Sequence, residues 1–316
     1  MAERSKRIEM SDDVKIEKLN VKTVKFYNKY EVDMSIRELS PKTIYGYKTD
    51  LYQWFIYVLD NQGNQCITDL DEDDITEFIY WCKQQGNNTR RIKRRMSSIS
   101  AFYKYLRKKR IISENPMEFI DRPKRDVDVI TQTYLTAEQV ALMKEKLKEN
   151  GDLQIEIYAL LSLSTMGRVN AISNICWKQI DFGNRVIENV LEKEQRLVNL
   201  FFNEECKDLL LTLKAKREAD GITCDNIFIT NYDGGYSRAS VTTLTSWCKK
   251  TGNMIGLETL HPHDYRHSNA QLLKLSGCPI EIISELLNHS GLDVTKKFYL
   301  KQDTKLMKSE KDKYEL

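Results

Sequence analysis

Leu260-His261-Pro262-His263-Asp264-Tyr265-Arg266-His267 opens a stretch that continues through a helical pattern to Leu286-Leu287-Asn288-His289-Ser290-Gly291 and closes at Phe298-Tyr299. The chain has only 4 His, and all of them fall inside this stretch. His263, Arg266 and His289 bracket two short apolar helices, and a tyrosine stands ten positions beyond the last histidine. Arginine grips phosphate oxygens with a planar fork that keeps its charge. Histidines move protons and donate hydrogen bonds, and a phenol can attack. Such a set suits cleavage of a phosphodiester without a metal. A lone His-x-x-Arg carries little weight, so its meaning depends on partners that follow in order along the chain.

At 316 residues the chain has the length of two domains. With 41% hydrophobic and 30% charged residues it can bury ordinary cores. No apolar run reaches the roughly 18 residues a spanning helix requires, and the charged opening Met1-Ala2-Glu3-Arg4-Ser5-Lys6-Arg7 leads into no signal-peptide core. A cytoplasmic location with no membrane partner is therefore expected. The 7 Cys contain no Cys-x-x-Cys pair, which reads as reduced structural thiols. The histidines lack zinc spacing, so no metal site and no cofactor are expected.

The net charge of +3 hides a local sorting. Between Asn87 and Arg110 there are ten basic residues and no acid, whereas Asp69, Asp71, Glu72, Asp73, Asp74 and Glu77 gather upstream. Residues 1–20 are polar, and their pattern fits a flexible leader or an extra helix equally well. Ser40-Pro41 marks a helix start. Ile44, Tyr47, Leu51, Trp54, Phe55 and Val58 then recur with the period of an amphipathic helix. A shorter helix from about Asp73 buries Ile75, Phe78, Ile79 and Cys82. A third, from about Asn88 to Lys109, has Ile92, Met96, Ile99, Tyr103 and Leu106 on one face. Its basic residues Arg90, Arg91, Lys93, Arg94 and Arg95 are candidates for a DNA contact. The ordinary fate of such a run is a solvated face. A one-signed run repels itself, however, and a phosphate backbone would relieve that repulsion. Asn115-Pro116 closes the segment, and residues 121–133 lack sustained periodicity and read as a linker. The expected domains are residues 21–120 and 134–316.

Thr136 caps the first helix of the second half, and an apolar helix from Leu153 leads into Ser164-Thr165-Met166-Gly167-Arg168-Val169-Asn170-Ala171-Ile172. Short strands follow between residues 177 and 202, with Leu191-Glu192-Lys193-Glu194-Gln195 as a hairpin tip. An arginine at a helix boundary and a lysine in a loop are each ordinarily just solvated. After helices over Glu204–Ala219 and Ser240–Lys250, the chain returns to the opening stretch. The fold class expected is mainly α, with a small antiparallel sheet in the second domain.

This order of motifs resembles the tyrosine recombinases, the family of phage and transposon integrases that includes the Xer and Cre recombinases. His263-Asp264-Tyr265-Arg266 matches their His-x-x-Arg box, and Leu286-Leu287-Asn288-His289 with Tyr299 matches their Leu-x-x-His box and nucleophile. Thr165, Arg168 and Asn170 fit the first box, with two departures. Glycine stands immediately before Arg168 rather than two before, and Ala171 replaces the usual acid, so another carboxylate must serve or the geometry loosens. Asn288 stands where the family has glycine, and asparagine also tolerates left-handed backbone. Ser40-Pro41-Lys42-Thr43, the basic third helix and the Asn-Pro exit resemble the family's N-terminal core-binding domain.

The resemblance implies the reaction and the roles. Tyr299 would attack DNA to give a 3′-phosphotyrosyl link and a free 5′-hydroxyl. Arg168 and Arg266 would clamp the phosphate, where preorganised donors contribute most. His263 would act as base, His289 as hydrogen-bond donor, and Lys193 on the hairpin would protonate the leaving oxygen. It also implies double-stranded DNA sites, a homo-tetramer and accessory recombination proteins as partners. A mobile-element integrase or transposase is the expected role. An Xer-type dimer resolvase, a DNA binder that has lost catalysis and a metal-dependent nuclease are the competing ones. On the DNA-binding expectation, log affinity for DNA should fall by about 0.9 per log unit of salt for each phosphate neutralised. A salt titration of binding checks this, and a flat line would remove the expected phosphate contacts.

Overall fold

The computed structural model describes residues 13–124, 134–192 and 196–288. The chain divides into two compact units, Met1–Ile130 and Thr131–Leu316. Most of the expected linker lies outside the described residues.

The first unit is helical. Its elements are α1 (Asp13–Glu17), α2 (Val21–Ile36), α3 (Pro41–Asn61), α4 (Glu72–Gln84) and α5 (Thr89–Lys108). The cap on α3 is the one the sequence announces, and those on α4 and α5 follow the same chemistry. The Ser40 hydroxyl accepts from the Thr43 amide with Pro41 in the first turn, Asp71 and Asp74 form a reciprocal capping box on α4, and Asn88 accepts from the Arg91 amide. Helix α2 follows a leader whose reading was open between coil and helix. Its buried stripe is Thr23, Tyr27, Tyr30 and Met34, in which the polar Thr and the two phenols blur the apolar signal. Tyr27 meets Tyr52 edge-on at 5.0 Å, and Tyr30 packs against Phe102 at 5.2 Å. These contacts hold α2 on α3 and α5. Trp54, Phe55, Phe78, Ile92, Met96, Ile99 and Leu106 fill the same core.

The second unit surrounds one apolar helix. α6 (Ala137–Asn150) begins with a capping box between Thr136 and Gln139. α7 (Leu153–Thr165) is buried along almost its whole length. α8 (Val169–Asn174) follows directly. Strands β1 (Ile180–Asp181), β2 (Val186–Leu191) and β3 (Leu197–Phe201) form an antiparallel sheet in that order. Val186 pairs with Phe201 and Leu191 with Leu197. α9 (Glu204–Ala219) packs on α7. A second hairpin, β4 (Ile229–Tyr232) with β5 (Gly235–Arg238), turns at Asp233-Gly234. Its second strand is wholly exposed, so apolar alternation could not reveal it. α10 (Val241–Met254), α11 (Pro262–Leu275) and α12 (Ile280–Leu286) complete the unit.

Helix α11 is seated on α7 and on the segment before α6 by polar and aromatic contacts. Tyr265 is fully buried and meets Tyr158 edge-on at 6.1 Å. Asn269 donates to the Ser164 carbonyl at 3.2 Å, and the Ser268 hydroxyl accepts from the Leu135 amide at 2.8 Å. A small cluster of Met166, Ala270, Ile283 and Leu287 then joins the end of α7, α11 and α12. Among the described residues no helix is long and apolar enough to cross a membrane.

The turn from α10 into α11 leaves no room at Gly252. A Cβ there would lie 2.4 Å from the Leu257 carbonyl oxygen and 2.8 Å from the Leu260 Cβ, and the Gly252 carbonyl already accepts from the Leu257 amide at 2.7 Å. Gly252→Ala should therefore destabilise the unit by about 1–3 kcal/mol. Thermal unfolding checks this, and an unchanged midpoint would show that the turn can give.

Candidate active site

The site is built where three distant segments meet. Thr165 ends α7, and its hydroxyl accepts from the Gly167 amide at 3.2 Å. Met166 adopts a left-handed backbone with φ +52, a conformation that is strained for a side chain of its size. Gly167 sits tightly, because a Cβ would lie 2.7 Å from the Ile172 Cδ1 and 3.2 Å from the Leu200 Cδ1 and would push those side-chain ends aside. The glycine displaced by one position relative to the family pattern thus packs directly against α8 and β3. Arg168 then stands at the N-cap position of α8.

Arg266 closes the site from below. Its side chain is buried. Nη1 donates to the Met166 carbonyl at 2.6 Å, and Nη2 donates to the Leu287 carbonyl. One guanidinium therefore reaches a turn 100 positions earlier and the end of α12, 21 positions later. Next to Leu287, Asn288 adopts the left-handed backbone expected of it, with φ +48. The chain then continues to His289.

His263 stands in the first turn of α11, which opens with a capping box between His261 and Asp264. The His261 ring stacks on it at 5.7 Å, and the His267 ring lies 6.4 Å away. His263 keeps an exposed surface, yet crowding by protein atoms, then the charges of His261, Arg266 and Arg168, hold its imidazole below the ordinary range. Burial, followed by the charges of His263 and Arg266, lowers His267 to about 4. His263 is therefore a solvent-exposed imidazole biased toward its neutral form, able to accept a proton.

Arg168 meets a carboxylate that motif reasoning did not single out. Its Nη1 donates to Oε2 of Glu192, whose side chain is 3% exposed against 29% for Arg168. Ala171, at the place of the missing acid, is fully buried in the apolar core. The signal available in the sequence was only that Glu192 directly precedes the hairpin lysine. Arg168, His263 and Arg266 are thus brought together. Lys193, His289 and Tyr299 lie outside the described residues. Among the described residues no three His, Cys, Asp or Glu side chains gather as a metal cage.

The basic helix of the first unit needs one correction. Arg95, expected to face DNA, is 1% exposed and donates to the Cys82 Sγ at 3.0 Å, so it belongs to the core. The helix period explains this, since Arg95 shares the face of Ile92, Met96 and Ile99. Arg94 is exposed, but it pairs with the buried Asp50 at 2.6 Å. Burial pushes the Asp50 carboxyl up, against the opposing pull of Arg94 and Ser98. Arg107 pairs with Glu118 at 2.9 Å. Part of the self-repulsion is thus relieved from within. Arg90 and Arg94 are exposed, and Arg91 and Lys93 are partly so.

Comparison with known proteins agrees with these two units. Residues 133–305 match the model of the phage integrase family, and residues 28–110 match its N-terminal SAM-like domain. Tyrosine recombinase XerD of Oceanobacillus iheyensis is 26% identical over 276 residues, covering 82% of this chain and 87% of the relative. Tyrosine recombinase XerC of Bacillus licheniformis is 28% identical over 277 residues, covering 82% and 86%. Among solved structures, the Tn1549 transposon integrase in complex with circular intermediate DNA aligns with a TM-score of 0.68 at 17% identity, covering 90% of this chain and 97% of that one. The last likeness establishes the fold.

The electrostatics of the histidine cluster can be checked by NMR. His267 should titrate near 4, and His263 below the ordinary imidazole value of about 6.5, staying neutral as pH falls through that value. Arg168→Gln removes one of the cations acting on His263 and should move its titration upward. A His263 titration at or above the ordinary value in the parent would contradict this environment.

Proposed function

We propose that this chain, which belongs to the phage integrase family and is a tyrosine recombinase, cuts and rejoins DNA at specific sites through Tyr299. The observation that carries this reading is the Arg266 guanidinium on the Met166 carbonyl, because it brings the first arginine box against the His-x-x-Arg box. In the proposed reaction the Tyr299 oxygen attacks the phosphorus and His263 accepts the phenolic proton. A free phenol titrates near ~10, so it needs such a base or a cationic pocket. Arg168 and Arg266 meet the charge that grows on the non-bridging oxygens, and His289 donates a hydrogen bond to them. Lys193 protonates the leaving 5′-oxygen. The products are a 3′-phosphotyrosyl link and a free 5′-hydroxyl, and attack by a second 5′-hydroxyl reverses the step and frees Tyr299. The phosphoester bond energy is kept, so no nucleotide is consumed.

The finer role we propose is integration, excision or transposition of a mobile element in the cytoplasm. It would proceed through four protomers on two double-stranded sites, with accessory recombination proteins where the sites require them. The altered first box and the short hairpin support this reading. The second reading is an Xer-type dimer resolvase, favoured by the names of the relatives at 26–28% identity. Sequencing the DNA recovered with the chain separates the two. Element ends support the first, and a single chromosomal site supports the second.

Incubation with nicked site DNA should give a covalent adduct that forms equally in EDTA and is lost in Tyr299→Phe. DNA retardation without any adduct would instead identify a binding protein. An adduct that disappears in EDTA would point to metal-dependent chemistry.

A further inference from the structure

We propose that Glu192 is the positioning residue for Arg168, supplying from the β2–β3 hairpin the carboxylate that α8 lacks. This inference rests on the recombinase reading above. No residue of α8 is acidic, and Ala171 is sealed in the apolar core. The Glu192 carboxylate is buried and directed at Arg168, with Oε2 accepting from Nη1. Its backbone is anchored as well, because the Glu192 amide donates to the Arg196 carbonyl at 2.8 Å next to the Leu191–Leu197 pair. The contact is therefore held by the ladder of the sheet and not by a free loop.

The carboxylate is engaged through one of its two oxygens. Among the described residues Oε1 of Glu192 is buried without a hydrogen-bond partner. A buried carboxylate held by a single donor is a poor device for stability. It is a good device for aiming a guanidinium, because one N–H is fixed on Glu192 while the Arg168 side chain keeps 29% of its surface exposed. The next residue along the chain is Lys193, so the same carboxylate links the arginine to the hairpin that carries the lysine proposed to protonate the leaving group. A shift of the order of 1 Å in such a group costs about 10²-fold in rate.

The test is a cycle of four proteins: the parent, Glu192→Gln, Arg168→Lys and the double variant. DNA retardation is measured beside single-turnover adduct formation on nicked site DNA. Glu192→Gln should bind site DNA as tightly as the parent or more tightly, since a negative charge is removed, yet form the adduct at least tenfold more slowly. On the Arg168→Lys background the same substitution should cost nothing further, because its effect runs through the arginine. Retained DNA retardation shows that each variant is folded. Parent-like cleavage by Glu192→Gln, or a loss that simply multiplies with that of Arg168→Lys, overturns the inference. A parent that binds site DNA and gives no adduct overturns the recombinase reading itself.

Discussion

The buried guanidinium of Arg266 is the constraint from which the site follows. It donates to the Met166 and Leu287 carbonyls and so ties together segments that the chain order keeps far apart. Burying a cation is unfavourable unless its donors find partners, and here backbone oxygens at two irregular points provide them. Both points are left-handed or adjoin left-handed backbone, at Met166 and at Asn288. A regular helix would direct those carbonyls into its own ladder. The turn before α8 and the end of α12 are thus irregular where Arg266 needs an acceptor. Arginine suits this task because lysine offers one flexible ammonium in place of a planar fork.

Charge in this chain is meaningful by place and not by total. On α5 the basic run divides according to the helix period. Arg95 turns inward to Cys82, Arg94 reaches back to Asp50, and Arg90 keeps an exposed surface. In the second unit, Arg168 is matched by one buried carboxylate while His263 sits among cations. The first arrangement leaves a partly neutralised basic face. The second gathers positive charge beside an imidazole held neutral.

Much of this was legible in the residues. Ser40 and Thr136 announce their helices because capping is local chemistry. The left-handed Asn288 was legible for the same reason. The meeting of Arg168 with the His263–Arg266 helix was legible only through the order of the motifs, since nothing local to Arg168 indicates a partner in a helix so much later in the chain. Four features escaped. Helix α2 hides its stripe in Thr23, Tyr27 and Tyr30, Arg95 carries a surface residue type into the core, and β5 has no buried face at all. Glu192 escaped because its partner comes from another element and no spacing rule connects a hairpin tip to a helix cap.

The central claim is that Arg266 assembles the site by holding both carbonyls at once. Amide hydrogen exchange in Arg266→Met against the parent tests it most directly. If the claim holds, protection at Gly167 and at Asn288 falls together, while amides in the core of α9 keep theirs. Protection retained at both positions, or lost at one alone, would contradict it.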